Sequence, residues 1–297
     1  MNTTTVGVVG AGVMGASLAH ALTARGIDTV LHDTDPAALD EAMHRIAAAG
    51  RLARLTGGAV PGQPGPARPA HQAHQARQAR LTGELTELAG CDLVIENVTE
   101  DPAVKRSVHQ RLDAVLPATT VVAVNTSAVP ISDLALATGH PERVIGAHFM
   151  NPVAMSTMVE VVRTPYAAQW ALDRLLEILG QFGKESVVVA DAAGFVINRC
   201  LMIFINEAAA LLDDGVATPQ QVDRLFRGCL GHRTGPLRTA DIIGLDTVVR
   251  TLDVLRDQYG PERFTPSDRL LRMVAAGQCG RKTGQGFYTY TTDGAAA

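Results

Sequence analysis

Short apolar runs alternate with helix-like stretches along the first two-thirds of the chain. The runs that predict strands are residues 5–9, 29–32, 93–95, 121–124, 144–147, 158–162 and 186–189. Between them, helical periodicity begins near Gly12, Pro36, Pro102, Ser132 and Ala167. This alternation is typical of βαβ units and predicts a doubly wound parallel sheet of the α/β class.

The alternation stops after Val189. From Gly194 onward the apolar pattern has a helical period only, over residues 195–213, 219–230, 247–259 and 266–276. We therefore expect two domains, an α/β domain over residues 1–191 and an all-α domain over residues 192–297.

Residues 57–80 do not fit either pattern. The segment begins rich in Pro and Gly and ends in a polar tract with a period of three and no apolar stripe. Such composition predicts a flexible surface insertion. Because arginines accompany it, a basic flap over an anionic ligand or partner is the alternative.

Composition and charge exclude several classes of protein. The 297 residues are 46% hydrophobic with a net charge of -4, as in a globular protein, and nucleic acid is not an expected partner. The four cysteines are scattered without metal-ligand spacing, so no metal site is expected. No leader-like start and no apolar run of about 18 residues is present, and we expect a soluble cytoplasmic protein without a membrane partner.

The segment GVVGAGVMG follows the first predicted strand and opens a helix. It places Gly10, Gly12 and Gly15 in a G-x-G-x-x-G pattern, with Val13 and Met14 in the first helical turn. These glycines allow a tight turn, close approach of a pyrophosphate and helix packing in a Rossmann-type domain. Asp33 ends the next strand about 20 residues on, where a carboxylate binds the ribose hydroxyls and repels a 2′-phosphate. NAD is the predicted cofactor.

One histidine and one glutamate interrupt the apolar stretch at residues 146–162. His148 ends a predicted strand, at the edge of the sheet where such folds bind ligands, and Glu160 lies between valines in the next strand. A buried carboxylate needs a partner, and imidazole suits the removal of a hydroxyl proton as hydride leaves. The pattern predicts a His–Glu dyad. A histidine satisfied within the core is the alternative.

Six motifs, in order along nearly the whole chain, carry a family resemblance. They are GAGVMG, VIENVTEDPAVK, NTSA, HFMNP with VEVV, GFVINR and GRKTGQGFYTY. The chain resembles the 3-hydroxyacyl-CoA dehydrogenase family, which includes bacterial 3-hydroxybutyryl-CoA dehydrogenases.

The resemblance implies roles for individual residues. His148 would be the catalytic base, with Glu160 orienting it. Ser127 would hydrogen-bond the reacting oxygen of the substrate, Asn198 would hold its carbonyl end and Asn151 would shape the turn beside the base. Glu100, Lys105 and Asn125 match positions near the cofactor. Ordinary helix capping remains the alternative for Ser127 and Asn198. The family's helical domain also implies a homodimer.

The chain departs from the family pattern at Met150, at Ala128 and in residues 57–80, where CoA-linked members carry a lysine-bearing hairpin. Residues 228–247, together with HFMNP, resemble a polyketide-biosynthesis subgroup that oxidises glyceryl on an acyl carrier protein. The resemblance thus implies NAD-dependent oxidation of a 3-hydroxyacyl thioester, carried by the carrier protein or by CoA.

Two other classes remain as alternatives. One is a catalytically inactive NAD-binding module. The other is the β-hydroxyacid dehydrogenases, which would use a lysine on the helix after Gly194, where residues 194–213 contain none.

Overall fold

The structure, a computed structural model, describes residues 4–55, 78–127 and 129–290. The chain divides into two compact units, Met1–Ala192 and Ala193–Ala297. Residues 57–77 of the expected flexible insertion, and Ala128, lie outside the described residues. None of the described helices has the length and apolar character needed to cross a membrane.

In its described residues the first unit forms one sheet of eight strands, in the order β3–β2–β1–β4–β5–β6–β7–β8. The strands are β1 (Thr5–Val9), β2 (Asp28–His32), β3 (Arg80–Thr82), β4 (Leu93–Glu96), β5 (Val121–Val124), β6 (Val144–His148), β7 (Met158–Arg163) and β8 (Glu185–Ala190). The helices of this unit are α1 (Val13–Thr23), α2 (Pro36–Leu55), α3 (Pro102–Val115), α4 (Ile131–Ala135) and α5 (Gln169–Gln181). The predicted Rossmann-type architecture is confirmed.

The central strands β1, β4 and β5 are covered on both faces. Val8, Ile95 and Ala123 are fully buried within the main apolar core, which Leu18 of α1 and Leu175 of α5 join. Strands covered on both faces have near-continuous apolar sequences, which is why these strands could be predicted.

The sheet differs from the prediction in two places. Strand β3 lies at one edge, where Arg80 pairs with Val30, although residue 80 was expected in a flexible insertion. Three residues are too few to show an alternating pattern. The β6–β7 pair is antiparallel, not parallel, because residues 149–157 connect the strands without a crossover helix. This pairing places His148 directly opposite Glu160.

The second unit is mainly helical in its described residues, as predicted, with isolated β-bridges within residues 280–289. Its helices are α6 (Ile197–Asp213), α7 (Pro219–Leu230), α8 (Pro236–Ile243), α9 (Leu245–Tyr259), α10 (Pro261–Phe264) and α11 (Asp268–Ala275). Helices α8 and α10 were not predicted, because both are short. Asp241 of α8 is fully buried and accepts hydrogen bonds from the backbone N–H groups of Phe287 and Tyr288, which fixes the C-terminal motif to this unit.

Candidate active site

A cavity of about 960 Å³ lies beside the carboxyl ends of β1, β2 and β4. Its walls come from the glycine turn, the ends of these strands and the first half of α3. Among the predicted cofactor residues, Gly10, Gly12, Val13, Met14 and Asp33 line it. This is the edge at which doubly wound sheets bind dinucleotides.

The three glycines of the turn have different physical roles. Gly10 has φ +96°, and a Cβ there would lie 2.7 Å from the carbonyl oxygen of Asn97. A Cβ on Gly15 would lie 1.8 Å from the carbonyl oxygen of Gly10, so the α1–β1 packing excludes a side chain. A Cβ on Gly12 would meet nothing within 4 Å. The open space at Gly12 fits the close approach of a pyrophosphate to the backbone.

Asp33 is held rigidly at the end of β2. Its Oδ2 accepts a hydrogen bond from the Ala11 N–H at 2.7 Å, and its Oδ1 accepts one from the Asp35 N–H at 3.0 Å. The carboxylate therefore ties the glycine turn to the second strand at the wall of the cavity. Sequence reasoning missed His32 and Arg111, which also line the cavity.

Three predicted residues form a hydrogen-bonded relay. Nε2 of His148 lies 3.2 Å from Ser127 Oγ, and its Nδ1 lies 2.9 Å from Glu160 Oε2. His148 and Glu160 are 4% and 5% exposed. A carboxylate at Nδ1 holds the ring proton on that nitrogen, which leaves the Nε2 lone pair directed toward Ser127. The geometry suits an imidazole that removes a proton from a hydroxyl group.

Glu100 fixes the segment that carries Ser127. Its Oε1 accepts a hydrogen bond from the Ser127 N–H at 2.7 Å and a short one from the Thr126 hydroxyl. Glu100 was predicted as a cofactor contact, but it is absent from the cavity wall formed by the described residues. Its hydrogen bonds to Thr126 and Ser127 hold the relay segment, and its Oε2 lies 3.7 Å from Lys105 Nζ.

Lys105 and Asn125, two other predicted cofactor residues, likewise contact protein groups. The Lys105 side chain is fully buried, and Nζ lies 2.9 Å from Glu96 Oε1 and 3.0 Å from the Asn125 carbonyl oxygen. Glu96 also lies 3.2 Å from His109 Nε2. Burial favours the neutral Glu96 acid, but the hydrogen bond from His109 and the Lys105 charge together lower its pKa. Glu96 and His109 were missed. The sequence did carry a signal for Glu96, because a charged residue ends the apolar run LVIE.

The two predicted asparagines lie on different units. Asn151 is exposed in the turn after β6, three residues beyond His148. Asn198 is half-buried in the first turn of α6, in the second unit. Among the described residues, no cluster of His, Cys, Asp and Glu side chains could hold a metal ion.

Lys184 holds the turn that joins the two strands of the His–Glu pair. Its ammonium donates short hydrogen bonds to the carbonyl oxygens of Val153 and Ser156. Burial, with a smaller effect of Arg25, lowers its pKa from the ordinary value of 10.5 to about 8.

Because the folded pKa of Lys184 is the lower one, the unfolded chain binds more protons between these two pH values. This lysine therefore destabilises the fold below pH 8 and less so as the pH rises toward 10.5. We expect Lys184→Met to remove part of the rise in unfolding free energy between about pH 7 and about pH 10. Urea unfolding of both proteins at the two pH values measures it. Equal changes in the two proteins would contradict the prediction.

Comparison with known proteins adds to this geometry. Residues 5–192 match the family model "3-hydroxyacyl-CoA dehydrogenase, NAD binding domain", and residues 194–290 match "3-hydroxyacyl-CoA dehydrogenase, C-terminal domain". The chain is 38% identical to the 3-hydroxybutyryl-CoA dehydrogenase of Bradyrhizobium diazoefficiens, over 96% of this chain and 94% of the relative. It is 36% identical to the probable 3-hydroxybutyryl-CoA dehydrogenase of Deinococcus radiodurans, over 96% and 99%.

A solved structure is similar to this chain over its whole length. The crystal structure of (S)-3-hydroxybutyryl-CoA dehydrogenase from Ralstonia eutropha superposes with a TM-score of 0.88 at 32% identity, covering 98% of this chain and 100% of the other. The first unit is thus an NAD-binding domain, and the chain belongs to the 3-hydroxyacyl-CoA dehydrogenase family.

Proposed function

We propose that this protein catalyses the reversible NAD-dependent oxidation of a 3-hydroxyacyl-CoA to the 3-oxoacyl-CoA. The observation that carries the proposal is the Ser127–His148–Glu160 relay on an NAD-binding domain. Relatives named 3-hydroxybutyryl-CoA dehydrogenase, alike over nearly their whole length, support the choice of substrate class.

The relay divides the work among its members. Bound NAD would supply the acceptor for the hydride that leaves the hydroxyl-bearing carbon. His148 Nε2 accepts the hydroxyl proton during oxidation and returns it during reduction, while the Glu160 carboxylate stabilises the imidazolium that forms. Ser127 Oγ hydrogen-bonds the reacting oxygen and keeps it near Nε2. We also propose that Asn198 binds the thioester carbonyl and that Asn151 shapes the turn beside His148.

The glycine turn and Asp33 would hold the cofactor. Backbone N–H groups at the start of α1 would bind the pyrophosphate, and the Asp33 carboxylate would accept hydrogen bonds from the ribose hydroxyls. The same negative charge would repel a 2′-phosphate, which selects NAD over NADP.

Asp33→Asn keeps the shape of the side chain and removes its charge. We expect the ratio of kcat/KM for NAD to that for NADP to fall by at least about tenfold, a difference of about 1.4 kcal/mol. Steady-state rates with each cofactor measure it. The matched control is Asp35→Asn, an exposed aspartate two residues away, which should leave the ratio unchanged. An unchanged ratio in Asp33→Asn would contradict the assignment.

The carrier of the acyl group is the finer question. The named relatives favour CoA. Support for an acyl carrier protein comes from the resemblance of residues 228–247 and from the absence of lysine in residues 57–80. Exposed Arg227 and Arg233 could contact an acidic carrier protein. This second candidate substrate is glyceryl on an acyl carrier protein.

One assay separates the candidates. NADH formation or consumption would be followed with the acetoacetyl-CoA and 3-hydroxybutyryl-CoA pair, and in parallel with glyceryl-loaded acyl carrier protein. We expect turnover of the CoA esters. Turnover of the carrier-bound glyceryl alone would replace the CoA assignment. Tight NADH binding without turnover of either substrate would favour the alternative, a catalytically inactive NAD-binding module.

We also propose that the protein is a homodimer. The second unit exposes large apolar side chains on and near α7, namely Val216, Leu225 and Leu230, each at least 60% exposed. Contact with a second copy of the chain would remove such side chains from water. Light scattering on the purified protein should give twice the chain mass of 31.3 kDa, and a monomer would contradict this proposal.

A further inference from the structure

A second set of charged side chains is buried at the carboxyl end of β4, apart from the relay. Glu96 and Lys105 are 0% exposed and His109 is 1% exposed. The Lys105 ammonium donates to both Glu96 carboxylate oxygens, at 2.9 and 3.2 Å, and His109 Nε2 lies 3.2 Å from Glu96 Oε2. Enclosed ion pairs often stabilise a fold no more than apolar residues of the same volume. A contribution to folding stability is therefore a weak explanation for this cluster by itself.

The cluster contacts the cofactor cavity through Glu96. Glu96 Oε1 accepts a hydrogen bond from the Val98 N–H at 2.7 Å, and Val98 lines the cavity between Asn97 and Thr99. Lys105 contacts the neighbouring strand end, since it donates to the Asn125 carbonyl oxygen at 3.0 Å. The ion pair thus connects the loop after β4 to the segment after β5.

The ion pair contacts residues that position both Ser127 and His148. The Asn125 amide donates to Asn97 Oδ1 at 2.6 Å and accepts from the Phe149 N–H at 3.1 Å, next to His148. Lys105 Nζ also lies 3.7 Å from Glu100 Oε2. The other oxygen of Glu100 accepts the hydrogen bond from the Ser127 N–H. Lys105 therefore contacts residues on both sides of the relay: Glu100, which binds Ser127, and Asn125, which binds Phe149 next to His148.

We infer that Glu96 is a positioning residue, which holds the Lys105 ammonium so that Ser127 and His148 keep their separation. The effect on turnover rests on the proposed function; the effect on structure does not. Glutamine at position 96 would remove the nearer carboxylate, leaving the enclosed ammonium beside Glu100 at 3.7 Å, and Lys105 would shift away from the Asn125 carbonyl oxygen. Asn125 would then lose the hydrogen bond that fixes its carbonyl oxygen, and Glu100 would shift with the Lys105 ammonium.

The test compares Glu96→Gln, Lys105→Met and the double variant with Asp113→Asn. Asp113 is the control because it forms another ion pair with a buried cation, 2.8 Å from Arg143. Arg143 is 1% exposed and Asp113 is 19% exposed, and Arg143 precedes β6, at the end of that strand opposite His148. We expect Glu96→Gln to lower kcat by about 10- to 100-fold with the dissociation constant for NADH changed less than about threefold. The double variant should be no slower than Lys105→Met alone, because the pair acts as a unit. Asp113→Asn should lower the melting temperature without lowering the kcat of folded enzyme.

Hydrogen–deuterium exchange supplies a readout that needs no turnover. Peptides spanning residues 121–127 should exchange faster in Glu96→Gln than in Asp113→Asn, when both are compared under conditions where they are fully folded. Unchanged exchange in this segment would overturn the inference, even if the enzyme proved inactive on both thioesters. So would a folded Glu96→Gln enzyme with kcat within about threefold of the unsubstituted enzyme. Inactivity of the unsubstituted chain would refute only the proposed function.

Discussion

Replacing His148 with glutamine is expected to lower kcat by about 10³- to 10⁴-fold, the upper range for loss of a general base. Glutamine keeps a polar side chain of similar length but cannot accept a proton at neutral pH. His148 is 4% exposed and the nicotinamide cofactor would be held elsewhere, by the glycine turn and Asp33. The dissociation constant for NADH should therefore stay within about threefold. Steady-state kinetics with acetoacetyl-CoA and a fluorescence titration with NADH measure the two quantities.

The chain offers a matched control for His148. His140 Nδ1 lies 3.2 Å from Glu142 Oε1, so this is also a histidine–carboxylate pair, but both side chains are 42% exposed. His140→Gln should change kcat less than about threefold. Equal losses in the two variants would show that His148 has no special role, and the proposed mechanism would then be wrong.

Glu160→Gln is expected to lower kcat by about 10²-fold or more without weakening NADH binding. The Glu160 carboxylate lies 2.9 Å from His148 Nδ1 and can only accept a hydrogen bond there. A glutamine amide can also donate, which stabilises the tautomer with its proton on Nε2, the nitrogen that has to accept the substrate proton. Loss of the negative charge also removes stabilisation of the imidazolium.

Glu142→Gln is the control for this second variant. A parallel measurement of kcat and of the melting temperature separates loss of function from loss of fold, because Glu160 is buried and its replacement also affects stability. A folded Glu160→Gln enzyme with kcat within about threefold of the unsubstituted enzyme would contradict the role of Glu160.

Much of the first unit could be predicted because its strands are covered on both faces. Strands β1, β4 and β5 have nearly uninterrupted apolar sequences, and the glycine turn and Asp33 occur at fixed distances from them. The contact between His148 and Glu160 could be anticipated for a related reason. A buried carboxylate in a strand next to a strand-terminal histidine has few other partners.

Other features depend on contacts between distant segments. The antiparallel β6–β7 pairing follows from a short connection whose path is not visible in the hydrophobic pattern. Lys105 was assigned to the cofactor by its place in a motif, whereas its burial against Glu96 depends on how α3 packs on the sheet. Strand β3 is stabilised by pairing with β2, and its own sequence, RLT, carries no strand signal.

The most direct test of the central claim is the transfer of deuterium from labelled NADH to acetoacetyl-CoA. The purified protein would be incubated with NADH carrying deuterium at C4 of the nicotinamide, on each face in turn, and the product analysed by mass spectrometry. Our account predicts 3-hydroxybutyryl-CoA that is one mass unit heavier with one of the two labelled cofactors, formed about 10³- to 10⁴-fold more slowly by His148→Gln. NADH binding without any deuterated hydroxyacyl product would contradict the assignment as a 3-hydroxyacyl-CoA dehydrogenase.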